Sequence, residues 1–264
     1  MAFKPGSVKG FLLDITGVLY NSSPEGGEAI KGSIEAITRL YSESNLRFVS
    51  NESTSTPAKL YAKLTRLGFT LKQEHLFTPA PVAASYIKKH GLRPHLLIHK
   101  GVLDDFAGCD TTNPNCVVVG DAEDDFNYEN MNKAFRVLME AEKPLLISLG
   151  CGRFYQRVTG PCMDLGGFAI ALKYATGCEH IVLGKPDEAY FMAAINDMGL
   201  TKDEVVMVGD DIVSDIGGAQ SHGIRGIQVK TGKWRPEWEK HYVNPDFIAD
   251  NLAHAVETVL GKKN

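Results

Sequence analysis

The sequence predicts an α/β protein: a doubly wound parallel sheet with a second α/β domain inserted into it. Three observations predict this. Short apolar runs alternate with amphipathic helical patterns along the whole chain. The alternation runs longer than one small sheet requires. No Pro-, Gly- or Ser-rich stretch separates two consecutive domains, so an insertion accounts for the excess. The expected core is Rossmann-like and takes residues 1–78 and 183–264, with an inserted α/β cap over 79–182.

The elements follow in order. GFLLDI is a short buried strand ended by Thr16-Gly17. SIEAITRLYSES carries Ile34, Ile37 and Leu40 at helical spacing. LRFVSN is the second strand, and PAKLYAKLTRLG is a helix with Pro57 just inside its start and Gly68 at its end. HLLIHK, CVVVGD and LLISLG are strands of the insertion, joined by helices at YENMNKAFRVLMEAE and GGFAIALKYATG. IVLGKP, EVVMVGDD, RGIQVK and a short strand near DFIAD complete the sheets, and NLAHAVETVL is the last helix.

A chain of 264 residues, 44% hydrophobic and 23% charged, buries a core without disulfide or metal staples. Its net charge of -4 offers no basic surplus for nucleic acid or an anionic membrane. Five scattered cysteines form no C-x-x-C pair, which speaks for a reducing compartment, the cytosol or nucleus. The opening MAFKPGSVKG lacks the apolar stretch of a signal peptide, and no run is long enough to span a bilayer.

Ligands of open α/β sheets bind beyond the carboxyl ends of the strands. Four strand ends carry candidate chemistry. In LLDITGVLY, Asp14 ends a strand, Ile15 and Thr16 expose backbone groups, and Gly17 permits a sharp turn. A carboxylate there can attack phosphorus or hold a metal, or open an Asx-turn. In RFVSN, Ser50 and Asn51 can hydrogen-bond phosphoryl oxygens or cap a helix. In VLGKPDEAYF, Lys185 can neutralise that charge, although a solvated lysine is the commoner case. In EVVMVGDDIVSDIGGA, Asp210, Asp211 and Asp215 crowd together as Mg²⁺ ligands do.

These four segments, with DITGVLY, FVSNES, GKPDEAYF and VGDDIVSDIGGA quoted in order, resemble the haloacid dehalogenase superfamily of phosphohydrolases, in its branch with a type II cap between the second and third motifs. The resemblance covers nearly the whole chain. It implies Mg²⁺ held by Asp14, the Thr16 backbone carbonyl and Asp210, with Asp211 and Asp215 acting through water or orienting neighbours. It implies Asp14 as nucleophile through an aspartyl-phosphate, phosphate held by Ser50, Asn51 and Lys185, and a homodimer formed through the cap. GDAEDDF resembles the cap's own strand–helix unit, so Asp121 is not expected to bind metal. Cys151, Arg153 and Tyr155, in LGCGRFYQ, are candidates for substrate choice, and equally for ordinary loop surface.

One departure narrows the expectation. Relatives carry a second aspartate two residues after the nucleophile as acid and base; here that position is Thr16. General acid–base help is worth about 10²–10⁴-fold. Its loss hurts least when the leaving group needs little protonation, as in pyrophosphate or an N-phosphorylated amine, whether a small phosphorylated substrate or a phosphorylated protein side chain. Glu52 is a candidate substitute base, against its reading as a helix-start carboxylate. The competing readings are a phosphate-binding scaffold with decayed catalysis, which Thr16 favours, a phosphatase for another small metabolite, and a phosphotransferase or mutase, for which no acceptor site stands out.

Overall fold

The computed structural model describes residues 3, 6–23, 26–157 and 160–262. The chain divides into two compact units, one of 1–50, 57–77 and 185–264, the other of 51–56 and 78–184. The short segment 51–56, expected in the core with the rest of 1–78, groups instead with the second unit, and takes Asn51 and Glu52 with it.

The first unit is a six-stranded sheet in which every pairing is parallel. From one edge the strands run Phe247–Ala249, Arg225–Val229, Val205–Gly209, Gly10–Leu13, Asn45–Val49 and Leu76–Phe77. Gly10–Leu13 is therefore the point at which strand order reverses, and such points open a crevice at the carboxyl edge. Its four residues are all buried, as expected for a strand covered on both faces. Phe11 and Leu13 point into one apolar cluster with Ile37, Leu40, Leu60, Leu64, Leu252 and Val256 from the helices Ser33–Glu43, Pro57–Arg66 and Leu252–Leu260. The alternate residues Leu12 and Met207, equally buried, face the other side. Helix Glu188–Asp197 lies against the Asn45–Val49 strand there.

The second unit holds a four-stranded parallel sheet in the order Glu179–Val182, Leu145–Ser148, Cys116–Val119, Pro94–Leu97. Helix Pro79–Lys89 packs on one face through Ala83, Ala84 and Ile87. Helices Tyr128–Glu140 and Leu165–Thr176 pack on the other through Ala134, Leu138, Ala169 and Leu172. An antiparallel hairpin, Phe154–Arg157 with Gly160–Met163, is added to this unit. Tyr155 thus lies on a strand; the loop expected there is confined to Cys151–Arg153. All five cysteines are free thiols, and no helix among the described residues is long and apolar enough to cross a membrane.

Candidate active site

The central strand delivers Asp14 directly to the switch point. Its backbone N–H still donates to Val208 O at 2.9 Å, which fixes the residue against the neighbouring strand. Ile15 then turns into the core, fully buried, while Asp14 stays at the strand end and Thr16 is exposed. Gly17 closes the turn at φ +87°, a left-handed conformation, and its N–H donates to Tyr20 O at 2.8 Å. A Cβ at Gly17 would also overlap the Asp210 carboxylate, so glycine is required twice over.

Lys185 is the most consequential placement. It is 2% exposed, far from the fate of an ordinary surface lysine. Its Nζ donates to Asp14 Oδ1 at 2.5 Å and pairs with Asp215 Oδ1 at 2.7 Å. Burial opposes its charge, but Asp14 and Asp215 outweigh that and lift its pKa above the usual lysine range. Asp215, expected to work through water or by orienting neighbours, is an ion-pair partner of this lysine and also accepts from the Asp211 N–H at 3.0 Å.

Asp210 follows the Val205–Gly209 strand and is 2% exposed. Its Oδ2 accepts from the Lys233 N–H at 2.8 Å, and its carbonyl accepts from Gln228 Nε2 at 2.6 Å. Gly232, at φ +64°, lies so close that a Cβ there would overlap Asp210 Oδ2 as well. Asp211 heads the next helical turn: its Oδ1 accepts from the N–H groups of Val213 and Ser214, each at 3.0 Å, and its Oδ2 accepts from Lys233 Nζ at 2.9 Å. Burial raises the Asp211 carboxyl, yet Lys233 and those N–H donors more than reverse it and hold the pKa low.

Oxygens of Asp14, Asp210 and Asp215 lie within 4.8 Å of one another, all three residues buried. Burial, then the charges of Asp14 and Asp215, push Asp210 well above the usual carboxylate range, with Lys233 opposing. Burial also raises Asp215; Lys185 draws it back and Asp14 adds to the rise, to about 6. Hard oxygen donors crowded this closely, two of them holding protons more tightly than free carboxyls, suit a divalent cation. The tight fit of Gly17 and Gly232 on Asp210 leaves that carboxylate a single, prearranged position.

Ser50 ends the Asn45–Val49 strand and is 5% exposed. Its carbonyl, with that of Phe77, accepts from the buried Tyr190 hydroxyl at 2.6 and 2.7 Å. Asn51, the next residue, belongs to the other unit. Glu52 turns back on its own loop, where Oε1 accepts from the Thr54 N–H at 2.7 Å and the Thr54 hydroxyl at 2.5 Å. These are the contacts of a turn-forming carboxylate, the helix-start reading of Glu52 rather than that of a base. Asp121, in the second unit, accepts from the Glu123 N–H and receives no place in the Asp14 cluster.

Sequence reasoning missed Tyr190, Gln228, Thr231, Gly232 and Lys233. Thr231 donates to Gly17 O at 2.5 Å and ties the two turns together. A signal existed for the last three: Thr231-Gly232-Lys233 comes one residue after the RGIQV strand, at the same sheet edge as Asp14. Tyr190 stood in the GKPDEAYF segment without a role of its own.

Comparison with known proteins identifies the family. Residues 11–112 match a haloacid dehalogenase-like hydrolase profile, and 182–255 a second profile of HAD-hydrolase-like proteins. The chain is 51% identical over 255 residues to the phospholysine phosphohistidine inorganic pyrophosphate phosphatase of Bos taurus, covering 96% of this chain and 94% of that one. The Homo sapiens protein of the same name is also 51% identical, over the same shares. The crystal structure of a 4-nitrophenylphosphatase from Thermotoga maritima superposes with a TM-score of 0.86 at 25% identity, over 96% of this chain and 97% of that one. With half its residues shared over nearly its whole length, the chain belongs to the phospholysine phosphohistidine inorganic pyrophosphate phosphatase family of haloacid dehalogenase-like hydrolases.

Proposed function

We propose that this chain is a Mg²⁺-dependent phosphatase that cleaves inorganic pyrophosphate and the P–N bonds of phosphohistidine and phospholysine, with Asp14 as nucleophile. One observation carries the reading: a carboxylate at the switch point of the sheet, held at 2.5 Å by a buried lysine and faced by Asp210 and Asp215. The Asp14 carboxylate attacks phosphorus, the bond to the leaving group breaks, and water later releases phosphate from the aspartyl-phosphate. Lys185 fixes Asp14 Oδ1 and carries positive charge towards the reacting group. Ser50, at the end of a core strand, would donate to a phosphoryl oxygen.

Asp14, Asp210 and the backbone carbonyl of Thr16 would hold Mg²⁺, which when bound neutralises negative charge on the phosphoryl oxygens. At pH 8, Asp210→Asn should raise the melting temperature of the metal-free protein by a few degrees, because it removes one of several crowded carboxylates. The same variant should lose the further rise that Mg²⁺ gives the parent. Calorimetry of both proteins with Mg²⁺ and with chelator reads both effects, and an undiminished Mg²⁺ response in the variant removes Asp210 from the metal site.

The names of the 51%-identical relatives supply the substrate class, and Thr16 supplies its chemistry. A threonine hydroxyl does not ionise near neutrality, so leaving groups that depart with little protonation are favoured. The Thermotoga structure is named for a nitrophenyl ester, another good leaving group. Phosphate release from pyrophosphate, a phosphohistidine peptide, phospholysine and an alkyl monoester, all with Mg²⁺, tests this. The P–O–P and P–N substrates should exceed the alkyl ester by about 10²-fold in kcat/KM; an alkyl ester as best substrate overturns the assignment.

A further inference from the structure

Two turns meet at Asp210. One follows the Gly10–Leu13 strand and carries Asp14, Thr16 and Gly17; the other follows the Arg225–Val229 strand and carries Thr231, Gly232 and Lys233. Their backbones touch at the two glycines: a Cβ on Gly232 would lie 2.7 Å from the Gly17 Cα, and one on Gly17 would lie 3.1 Å from the Gly232 Cα. Asp210 Oδ2 is wedged at the same place, where either Cβ would overlap it, and accepts from the Lys233 N–H at 2.8 Å. The half-buried Thr231 hydroxyl joins the turns directly by donating to the Gly17 carbonyl at 2.5 Å.

These contacts fix two groups. The Gly17 N–H donates to Tyr20 O at 2.8 Å. The Thr16 carbonyl belongs to the same planar trans peptide, so it points the opposite way and cannot swing while that bond holds. Thr231 pins the following peptide through the Gly17 carbonyl, and the turn is thereby held on both sides of Gly17. Asp210 is held at both ends as well: its carbonyl accepts from the buried Gln228 amide at 2.6 Å, and its carboxylate from the Lys233 N–H. What relates one group to the other is the junction of the two turns. Glycine surfaces in contact can slide, because dispersion has no direction, whereas the Thr231 hydrogen bond sets both separation and register.

We infer that Thr231 is a positioning residue of the metal site: its hydroxyl braces the two turns so that the Thr16 carbonyl and the Asp210 carboxylate keep one spacing, and this rigidity makes the site prefer Mg²⁺ to Ca²⁺. The inference rests on the metal-dependent phosphatase reading above. Mg²⁺ is small and tolerates little departure from its ideal geometry, while Ca²⁺ accepts roughly six to eight oxygens at longer and more variable distances. Ligands free to move apart therefore penalise Mg²⁺ and suit Ca²⁺. Residues that orient ligands without touching the ion are typically worth about 10–100-fold in metal affinity.

The test is cation selectivity. Thr231→Val keeps the branched shape and removes the donor, Thr231→Ala removes the donor with less bulk, and Thr231→Ser keeps the hydroxyl. Mg²⁺ and Ca²⁺ are titrated separately by calorimetry into the chelator-treated full chain of the parent and of each variant, once a cooperative melting curve in chelator shows it folded. Thr231→Val and Thr231→Ala should raise the Mg²⁺ Kd by about 10-fold or more. The Ca²⁺ Kd should rise by no more than about threefold, so the preference for Mg²⁺ narrows. Thr231→Ser should restore the parental preference. Equal losses for both cations would overturn the inference, since a loosened fold weakens every ligand together. So would an unchanged Mg²⁺ Kd in both Thr231→Val and Thr231→Ala, or a serine variant that behaves as the alanine one does. If the parent itself binds no Mg²⁺, the metal-dependent reading fails first and takes the inference with it, and the two failures are thereby distinct.

Discussion

Asp14→Asn should abolish phosphate release from pyrophosphate, lowering kcat by about 10⁴-fold or more, the scale of losing a covalent nucleophile. The substitution keeps the shape of the side chain and an oxygen for Lys185 Nζ to bond, so the fold has no reason to suffer. It also removes one carboxylate from a group in which Asp14, Asp210, Asp211 and Asp215 face, among the described residues, the two cations Lys185 and Lys233. The metal-free variant should accordingly melt no lower than the parent. Activity and stability thus move apart, which separates loss of a nucleophile from loss of the site. Rapid acid quench with pyrophosphate should leave one phosphoryl mass on the Asp14 peptide of the parent and none on the variant. Retention of activity to within about tenfold of the parent would remove Asp14 from the chemistry, since such a residue contributes less than ~1.4 kcal/mol to the barrier.

The strand-end residues were legible because two patterns coincide at each: an apolar run that must be a buried strand, then a polar residue and a glycine. Asp14 with Gly17 and Asp210 after Gly209 both satisfy this, and both appear at the same edge of one sheet. The depth of Lys185 was not legible. A lysine between Gly184 and Pro186 looks the same in sequence whether solvated or buried, and only the meeting of Asp14 and Asp215, 171 and 30 residues away, makes burial tolerable. Ser50 and Asn51 read as one site, yet the division between the two units falls between them. Helix Pro79–Lys89 escaped notice because two prolines, Pro79 and Pro81, stand in its first turn, where they are compatible with a helix but disguise its period. The hairpin Phe154–Met163 was hidden for a related reason: its strands are four residues each, with Gly160 and Pro161 inside the span. The Tyr20 hydroxyl accepts from Lys63 Nζ at 2.8 Å and hydrogen-bonds Thr16 Oγ1 at 3.1 Å, joining residues 47 apart, a proximity no local pattern encodes.

Lys185→Met should cost the most stability of any single change at this edge of the sheet. Methionine approximates the volume of lysine, so little cavity is created and the effect is electrostatic. Two buried carboxylates, Asp14 and Asp215, lose the cation 2.5 and 2.7 Å from them. Removing one partner of a buried ion pair costs about 3–5 kcal/mol, because the remaining charge is left without water or counter-ion. For a chain of this size the melting temperature should fall by roughly 6–20 °C. Two further measurements identify the cause. Adding Asp215→Asn to Lys185→Met removes one of the stranded carboxylates and should recover part of the loss, a coupling that a packing defect would not show. Saturating Mg²⁺ should also recover part of it, since a bound cation neutralises the same cluster. Neither should recover turnover, because the ammonium that fixes Asp14 Oδ1 is still missing. A Lys185→Met protein as stable as the parent in chelator would mean that the cluster does not carry its charge in the metal-free state, and that protonated Asp210 and Asp215 already balance the site without the lysine.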